Sequence, residues 1–294
     1  MRQGGSAEIL MIWFLLTKLY SRFSWFLARR LGWRTRGLGW CLRHVGIDAV
    51  VLVHGTRVFF DHRVSSCYAW LVGGEWNEPE SHEFLHAIID GAGIPLRFVD
   101  VGANVGEMVV DIARLANVHE VVAFEPDPYC ARAMRVGAML NDVVNLRVVE
   151  RVLRDEAAPA FFTINTKNPL SHRLAAHDKG EGVLLPATTL DTELRDETGP
   201  TIVLIDVEGA ELLIMRGGQE FIRRTRPLLI FEYNELGRAQ YDLDAVRAVL
   251  GDDYDIFRLG PGGLLHRNLK ETWNCVAVNR DSIFRQPCMA LLRD

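Results

Sequence analysis

A chain of 294 residues, 49% hydrophobic and 24% charged, can bury a sizeable core, which excludes a disordered, collagenous or disulfide-stapled protein. The net charge of −5 conceals two regimes: residues 1–45 carry eight Lys and Arg against Glu8 alone, a net of +7, leaving −12 on the rest. So acidic a body argues against nucleic-acid partners, because a phosphate grip needs clustered cations.

In chain order, residues 1–46 form a basic, aromatic segment expected to be helical, with Trp13, Trp25, Trp33 and Trp40 among its arginines. Its best apolar run, Ile9 to Leu16, is cut off by Lys18 and Arg22, short of the ~18 to 20 residues a spanning helix needs. The charge follows the apolar run and no A-x-A site appears, unlike a secretory signal. Interfacial aromatics with arginines suggest peripheral membrane contact through residues 9–45. The other reading is a docking or homodimer helix whose aromatics pack on protein. Five scattered cysteines without a C-x-x-C pair fit a reducing, cytoplasmic location, membrane-associated if the segment binds lipid.

Residues 47–96 read as a lead-in: a hairpin over Val50–Val53 and Val58–Phe60, turning at His54–Arg57, then a helix from about Ser81 to Asp90. Residues 97–280 alternate apolar runs with helical stretches. The runs are Arg97–Val101, Val121–Phe124, Leu146–Val152, Thr201–Val207, Leu228–Phe231, Asp255–Leu259 and Cys275–Val278. This is the pattern of a doubly wound α/β domain with a mostly parallel sheet, whose ligand lies beyond the carboxyl ends of the strands. Residues 281–294 are left as a tail.

The first run ends in Asp100-Val101-Gly102-Ala103-Asn104-Val105-Gly106, a strand, a turn and a helix start. The spacing D-x-G-x-N-x-G lacks the three glycines of a pyrophosphate loop, and Asn104 tolerates a left-handed backbone. An acid at the strand end suits a cationic ligand, and S-adenosylmethionine has that polarity. Glu125 ends the next strand, where a carboxylate can accept from both ribose hydroxyls. Asp127 and Pro128 read as helix capping.

Further along, Ile205-Asp206-Val207-Glu208-Gly209-Ala210-Glu211 sets three carboxylates at another strand end, and Glu232 and Asn234 follow the next. Asp206 is the strongest functional candidate, because a buried carboxylate is costly unless paired or used. Glu208 and Glu232 are the candidate general bases, whereas Glu211 also suits a helix N-terminus. Asp206, Glu232 and Asn234 offer oxygens to a divalent metal such as Mg2+. Most of the histidines are read as surface residues and none as part of a metal-binding H-x-x-H or H-E-x-x-H pair; His172 alone is a candidate for a substrate or base role. No G-x-S-x-G sequence or activated cysteine supports acyl transfer, and a missing third glycine weakens a nicotinamide oxidoreductase.

Through VDVGANVG (Val99–Gly106), VVAFEPDP (Val121–Pro128), TTLD (Thr188–Asp191), IDVEGAE (Ile205–Glu211) and PLLIFE (Pro227–Glu232), the chain resembles the FkbM family of S-adenosylmethionine-dependent methyltransferases. The resemblance implies a class I methyltransferase fold, a Rossmann-like seven-stranded sheet with its last strand antiparallel. It further implies O-methylation of a hydroxyl on a sugar, glycan, lipid or natural product. It would give Asp100, Gly102, Asn104 and Gly106 the methionine and turn contacts, Glu125 the ribose and Asp206 the sulfonium side of the pocket. After the third strand the chain reads Arg151-Val152-Leu153-Arg154-Asp155-Glu156, where the family usually ends a small-residue turn in Gly-Asp. The alternative is a catalytically silent module that keeps the fold and docks on a membrane or assembly.

Overall fold

A computed structural model describes residues 46, 48–64, 76–163, 173–174, 182–270 and 272–293, with residues 23 and 30 of the amino-terminal segment. The expected aromatic helix as a whole and His172 lie outside the described residues. Among those described, no helix is long and apolar enough to cross a membrane.

The hairpin pairs β1 (Ala49–Val53) with β2 (Thr56–Phe60). Its turn is the two residues His54 and Gly55, both at positive φ, rather than the four expected, since a tight turn of that hand matches the twist of the strands. Helix α1 (Pro79–Ala92) starts on a proline at its first turn and stops at the left-handed Gly93. Strands β3 (Leu96–Val101), β4 (Val118–Phe124) and β5 (Leu146–Val149) follow, separated by α2 (Glu107–Ile112) and α3 (Pro128–Leu140). Asp127 caps α3 by accepting from the amides of Tyr129 and Cys130.

The run read as Leu146–Val152 divides, because β6 (Val152–Leu153) leaves the sheet and pairs with β10 (Ala187–Thr188). Between them β7 (Ala160–Thr163), β8 (Arg173–Leu174) and β9 (Val183–Leu185) make a small antiparallel sheet that the apolar pattern does not announce. Then come α4 (Leu190–Glu193), β11 (Thr201–Ile205), α5 (Glu211–Arg216), α6 (Gln219–Thr225), β12 (Leu228–Glu232), α7 (Glu235–Gln240) and α8 (Leu243–Leu250). β13 (Tyr254–Gly260), β14 (Leu264–His266), β15 (Asn274–Asn279) and α9 (Arg285–Leu291) complete the chain.

The main sheet has eight strands in the order β14-β13-β15-β12-β11-β3-β4-β5. Five neighbouring strands, from β12 to β5, run parallel, and β15 runs antiparallel to both of its neighbours. The expected seven strands are present with the last one antiparallel. The eighth, β14, is added at the edge by the turn Pro261–Gly263, which folds the chain back on β13.

Two cores cover the two faces. On β3, Leu96 and Phe98 enter the first with α1 and α2, while Val99 and Val101 enter the second with α5, α6 and α8. The same alternation holds on β4, β11 and β12. Phe98 is fully buried at the centre of the first face. Phe98→Ala is expected to destabilise the fold by about 3–5 kcal/mol, read as a lowered urea midpoint.

Candidate functional site

Period-two alternation also decides where the strand-end acids point. Continuing the first-face series Leu96, Phe98 gives Asp100; Val121, Ala123 gives Glu125; Ile202, Leu204 gives Asp206; and Leu228, Ile230 gives Glu232. All four carboxylates therefore leave the sheet toward the face that α1 covers. Asp100 pairs in register with Leu204, and Ile205 with Phe231, so Asp206 follows directly beside Glu232.

Asp100, Glu125 and Glu232 are 3%, 4% and 5% exposed, and among the described residues no Lys or Arg pairs with any of them. Burial, with the Glu78 charge adding to it, pushes Asp100 up to about 7. Burial likewise pushes Glu125 up to about 8, against the pull of two backbone amides. Burial raises Asp206 well above the carboxylate range, with the Glu232, Glu78, Glu208 and Glu211 charges adding to it; burial and the Glu208, Glu211 and Glu78 charges push Glu232 up to about 8, against the pull of Asp206. The Glu232 Oε2 atom is buried without a hydrogen-bond partner.

The glycine loop explains itself sterically. Gly102, Asn104 and Gly106 all have positive φ, the Asn104 value of 49° being the left-handed one its residue type allows. A Cβ on Gly102 would stand 1.9 Å from the Asp206 carbonyl oxygen, so a side chain there would push the two strand-end loops apart. Close approach is kept by the Asp206 amide, which donates to the Val101 carbonyl at 2.9 Å. Glu125 is held by both ends: its Oε2 accepts from the Asn104 amide and its Oε1 from the Asp127 amide, each at 2.8 Å. Each oxygen keeps a second lone pair for a ligand hydroxyl.

Not every acid near the mouth faces it. The Glu211 carboxylate accepts from the amides of Val207 and Gly209, and the Tyr241 hydroxyl lies 3.0 Å from it. It staples the loop in which Glu208 adopts a φ of 57°. Asn234 caps α7, its Oδ1 accepting from the amides of Leu236 and Gly237. That use takes it out of the oxygen triad expected for Mg2+ and leaves Asp206 and Glu232 as a pair.

Two groups of residues at this mouth were not expected from sequence. Glu78, just before α1, accepts from the Ser81 hydroxyl and the Asn274 amide, each at 2.9 Å. Its charge acts on Asp100, Asp206 and Glu232 alike, so it closes the ring of acids from above. The acidic stretch Gly74-Glu75-Trp76-Asn77-Glu78-Pro79-Glu80 looks in the sequence like a lead-in to the first motif, but the place of Glu78 in the mouth depends on Asn274, far along the chain, as well as on the nearby Ser81. His82 also departs from the surface expectation: it is 2% exposed, stacked on Trp76, and shares the Asp111 carboxylate with His86. The spacing H-E-x-x-H from His82 to His86 is the sequence signal for this cluster.

The raised acids set the pH dependence of stability. Native Asp100 and Glu125 hold protons at pH values where the unfolded chain has released them, so their contribution is present below about pH 4 and is lost as pH climbs toward 8. Asp61 has the opposite sign: burial would raise it, but Arg63 and Arg132 hold it down to about 2, so its contribution is complete before that window opens. The urea midpoint is expected to fall between pH 5 and 8, and Asp100→Asn, neutral throughout, to shrink the fall.

Residues 100–257 match the methyltransferase FkbM domain. Among solved structures the chain is similar to a methyltransferase FkbM from Methylobacillus flagellatus KT, with 19% identity over 63% of this chain and 43% of that one and a TM-score of 0.44. It thus spans less than half the length of that protein. It is also similar to a ribosomal protein L11 methylase from Lactobacillus delbrueckii subsp. bulgaricus, at 16% identity, 70% and 81% coverage and a TM-score of 0.39. A Streptococcus mutans chain solved in complex with SAH matches at 11% identity, 68% and 95% coverage and a TM-score of 0.40. No curated protein matches. The FkbM domain match takes in more than half of the 294 residues, from the Asp100 loop past Glu232, and the chain belongs to the FkbM family of methyltransferases.

Proposed function

We propose that the chain binds S-adenosylmethionine across the carboxyl ends of β3 and β4 and methylates a hydroxyl on a sugar, glycan, lipid or natural product. The observation that carries this reading is the set of buried carboxylates at one mouth with no cation from the described chain to neutralise them. A ligand bearing an ammonium and a sulfonium supplies the missing charge, and the unpartnered Glu232 Oε2 fits such a site.

Asp100, on the buried strand end, would hold the amino group, and the left-handed Gly102–Gly106 turn lets the backbone come close to it. Glu125, already oriented by the Asn104 and Asp127 amides, would accept from the ribose hydroxyls. Asp206 would line the sulfonium side. When bound, the cofactor supplies an electrophilic methyl group. The protein then has to place the acceptor oxygen in line with that carbon and take its proton. Glu232 is suited to the proton, since burial and the Glu208 charge raise its basicity, and Glu208 itself has a partly exposed side chain.

The remaining specificity lies at the rim. Trp273 is 61% exposed, just ahead of Asn274 where β15 opens beside Glu232, and its carbonyl holds the Tyr233 amide. A flat aromatic there would pack on the apolar face of a sugar ring. The amino-terminal +7 segment would bring the enzyme to acceptors on an anionic surface.

Calorimetric titration with S-adenosylhomocysteine and tritiated methyl transfer into lysate fractions test the reading. Asp100→Ala is expected to abolish S-adenosylhomocysteine binding. Glu232→Ala should leave binding intact and lower turnover by about 10²-fold or more. A wild-type protein that gives no heat with S-adenosylhomocysteine contradicts the proposal.

A further inference from the structure

His82 and His86 are four residues apart on α1 and share one of its faces; Asp111 meets them from the last turn of α2. Asp111 Oδ2 lies 2.8 Å from His82 Nδ1 and 2.8 Å from His86 Nε2, and the three atoms lie within 4.8 Å of one another. Two imidazole nitrogens and a carboxylate oxygen are the donor set of a borderline divalent ion, zinc foremost. Ligand atoms around a tetrahedral zinc stand about 3.3 Å apart, so small side-chain adjustments would admit the ion.

The surroundings have the features of a metal site's outer shell. The second nitrogen of His82, Nε2, faces the Glu107 carboxylate at 3.6 Å, the carboxylate–histidine arrangement that fixes a ligating ring. Trp76 stacks on the same ring at 4.0 Å between centroids, shielding it from water. Thr56 Oγ1 lies 3.4 Å from Asp111 Oδ1 and itself accepts from Arg114. The His86 side chain, 39% exposed, leaves a way in.

A comparison within the molecule sharpens the case. The other convergent group, Asp48, Asp61 and His62, has its acids paired with Arg63 and Arg132 and needs no cation. Among the described residues no Lys or Arg pairs with Asp111. We propose that His82, His86 and Asp111 bind one divalent transition-metal ion, with zinc the best-suited occupant and water completing its shell. Glu83, the acid of the H-E-x-x-H spacing, is exposed, so the ion has a structural role rather than a hydrolytic one. It clamps α1, which carries Glu78 at its start, to α2, which begins at Gly106 of the glycine loop.

The test uses the untagged full-length chain after chelator dialysis, titrated with Zn2+ against a chromophoric chelator and with Co2+ by visible absorption. Wild type is expected to take up one equivalent and to show the d–d bands of low-symmetry cobalt. His86→Ala should weaken zinc binding by about 100-fold or more and lose those bands, while circular dichroism stays unchanged. His86→Cys should restore binding and add a thiolate-to-cobalt band in the near ultraviolet. His62→Ala should titrate like wild type. A wild-type chain that takes up no metal overturns the proposal, as does retention of full affinity in His86→Ala or its loss in His62→Ala.

Discussion

Like charges gathered in a poorly solvated mouth are the constraint on which this structure turns. Burial raises the proton affinity of Asp100, Asp206 and Glu232; the Glu78 charge adds to it at all three, and the Glu208 and Glu211 charges at Asp206 and Glu232. Alone, such an arrangement is held only by keeping protons that ordinary carboxylates would lose. A fold that merely needed to be stable would replace these acids with apolar residues or pair each with an arginine, as it pairs Asp61. The chain instead spends buried strand ends on acids, which is the electrostatic form of a site awaiting a cation.

The scaffold exists to hold those acids at one level. Parallel strands bring their carboxyl ends to the same edge, and alternation sends the acids to the same face. Gly102 lets the β3 and β11 loops touch, because its missing Cβ would otherwise meet the Asp206 carbonyl. Glu211 and Tyr241 then fix the β11 loop from behind. α1 closes the face with Glu78, and the His82–His86–Asp111 cluster holds that helix to the last turn of α2, so the lead-in belongs to the site as much as the domain does.

Much of this was legible in the residues. Apolar runs located all seven principal strands, since parallel strands covered on both faces are apolar throughout. Asp100, Glu125, Asp206 and Glu232 were recognisable because each ends such a run. The edge strand β14 and the small sheet of β7, β8 and β9 were not, being short segments whose pairing depends on distant turns. Asn234 shows a different limit: a helix cap and an oxygen ligand use the same residue type, and only the structure shows the Oδ1 atom given to two amides. Glu78 stood in a stretch readable as an acidic lead-in, but its role in the mouth was not, since its neighbours Asn274 and Glu232 are far away in sequence. The two histidines of α1 did carry a readable signal in their spacing, which composition alone does not reveal.

The central claim is that the acid ring is protonated when empty and gives up protons to a cation. Calorimetry of S-adenosylmethionine binding at pH 6.5, where the ligand's own amino group is fully protonated, tests it when run in buffers of different ionisation enthalpy. The account predicts that the observed heat varies with buffer in the sense of net proton release, and that Asp100→Asn removes most of that release with whatever binding remains. Tight binding by wild type with no net proton exchange, or with proton uptake, would contradict it.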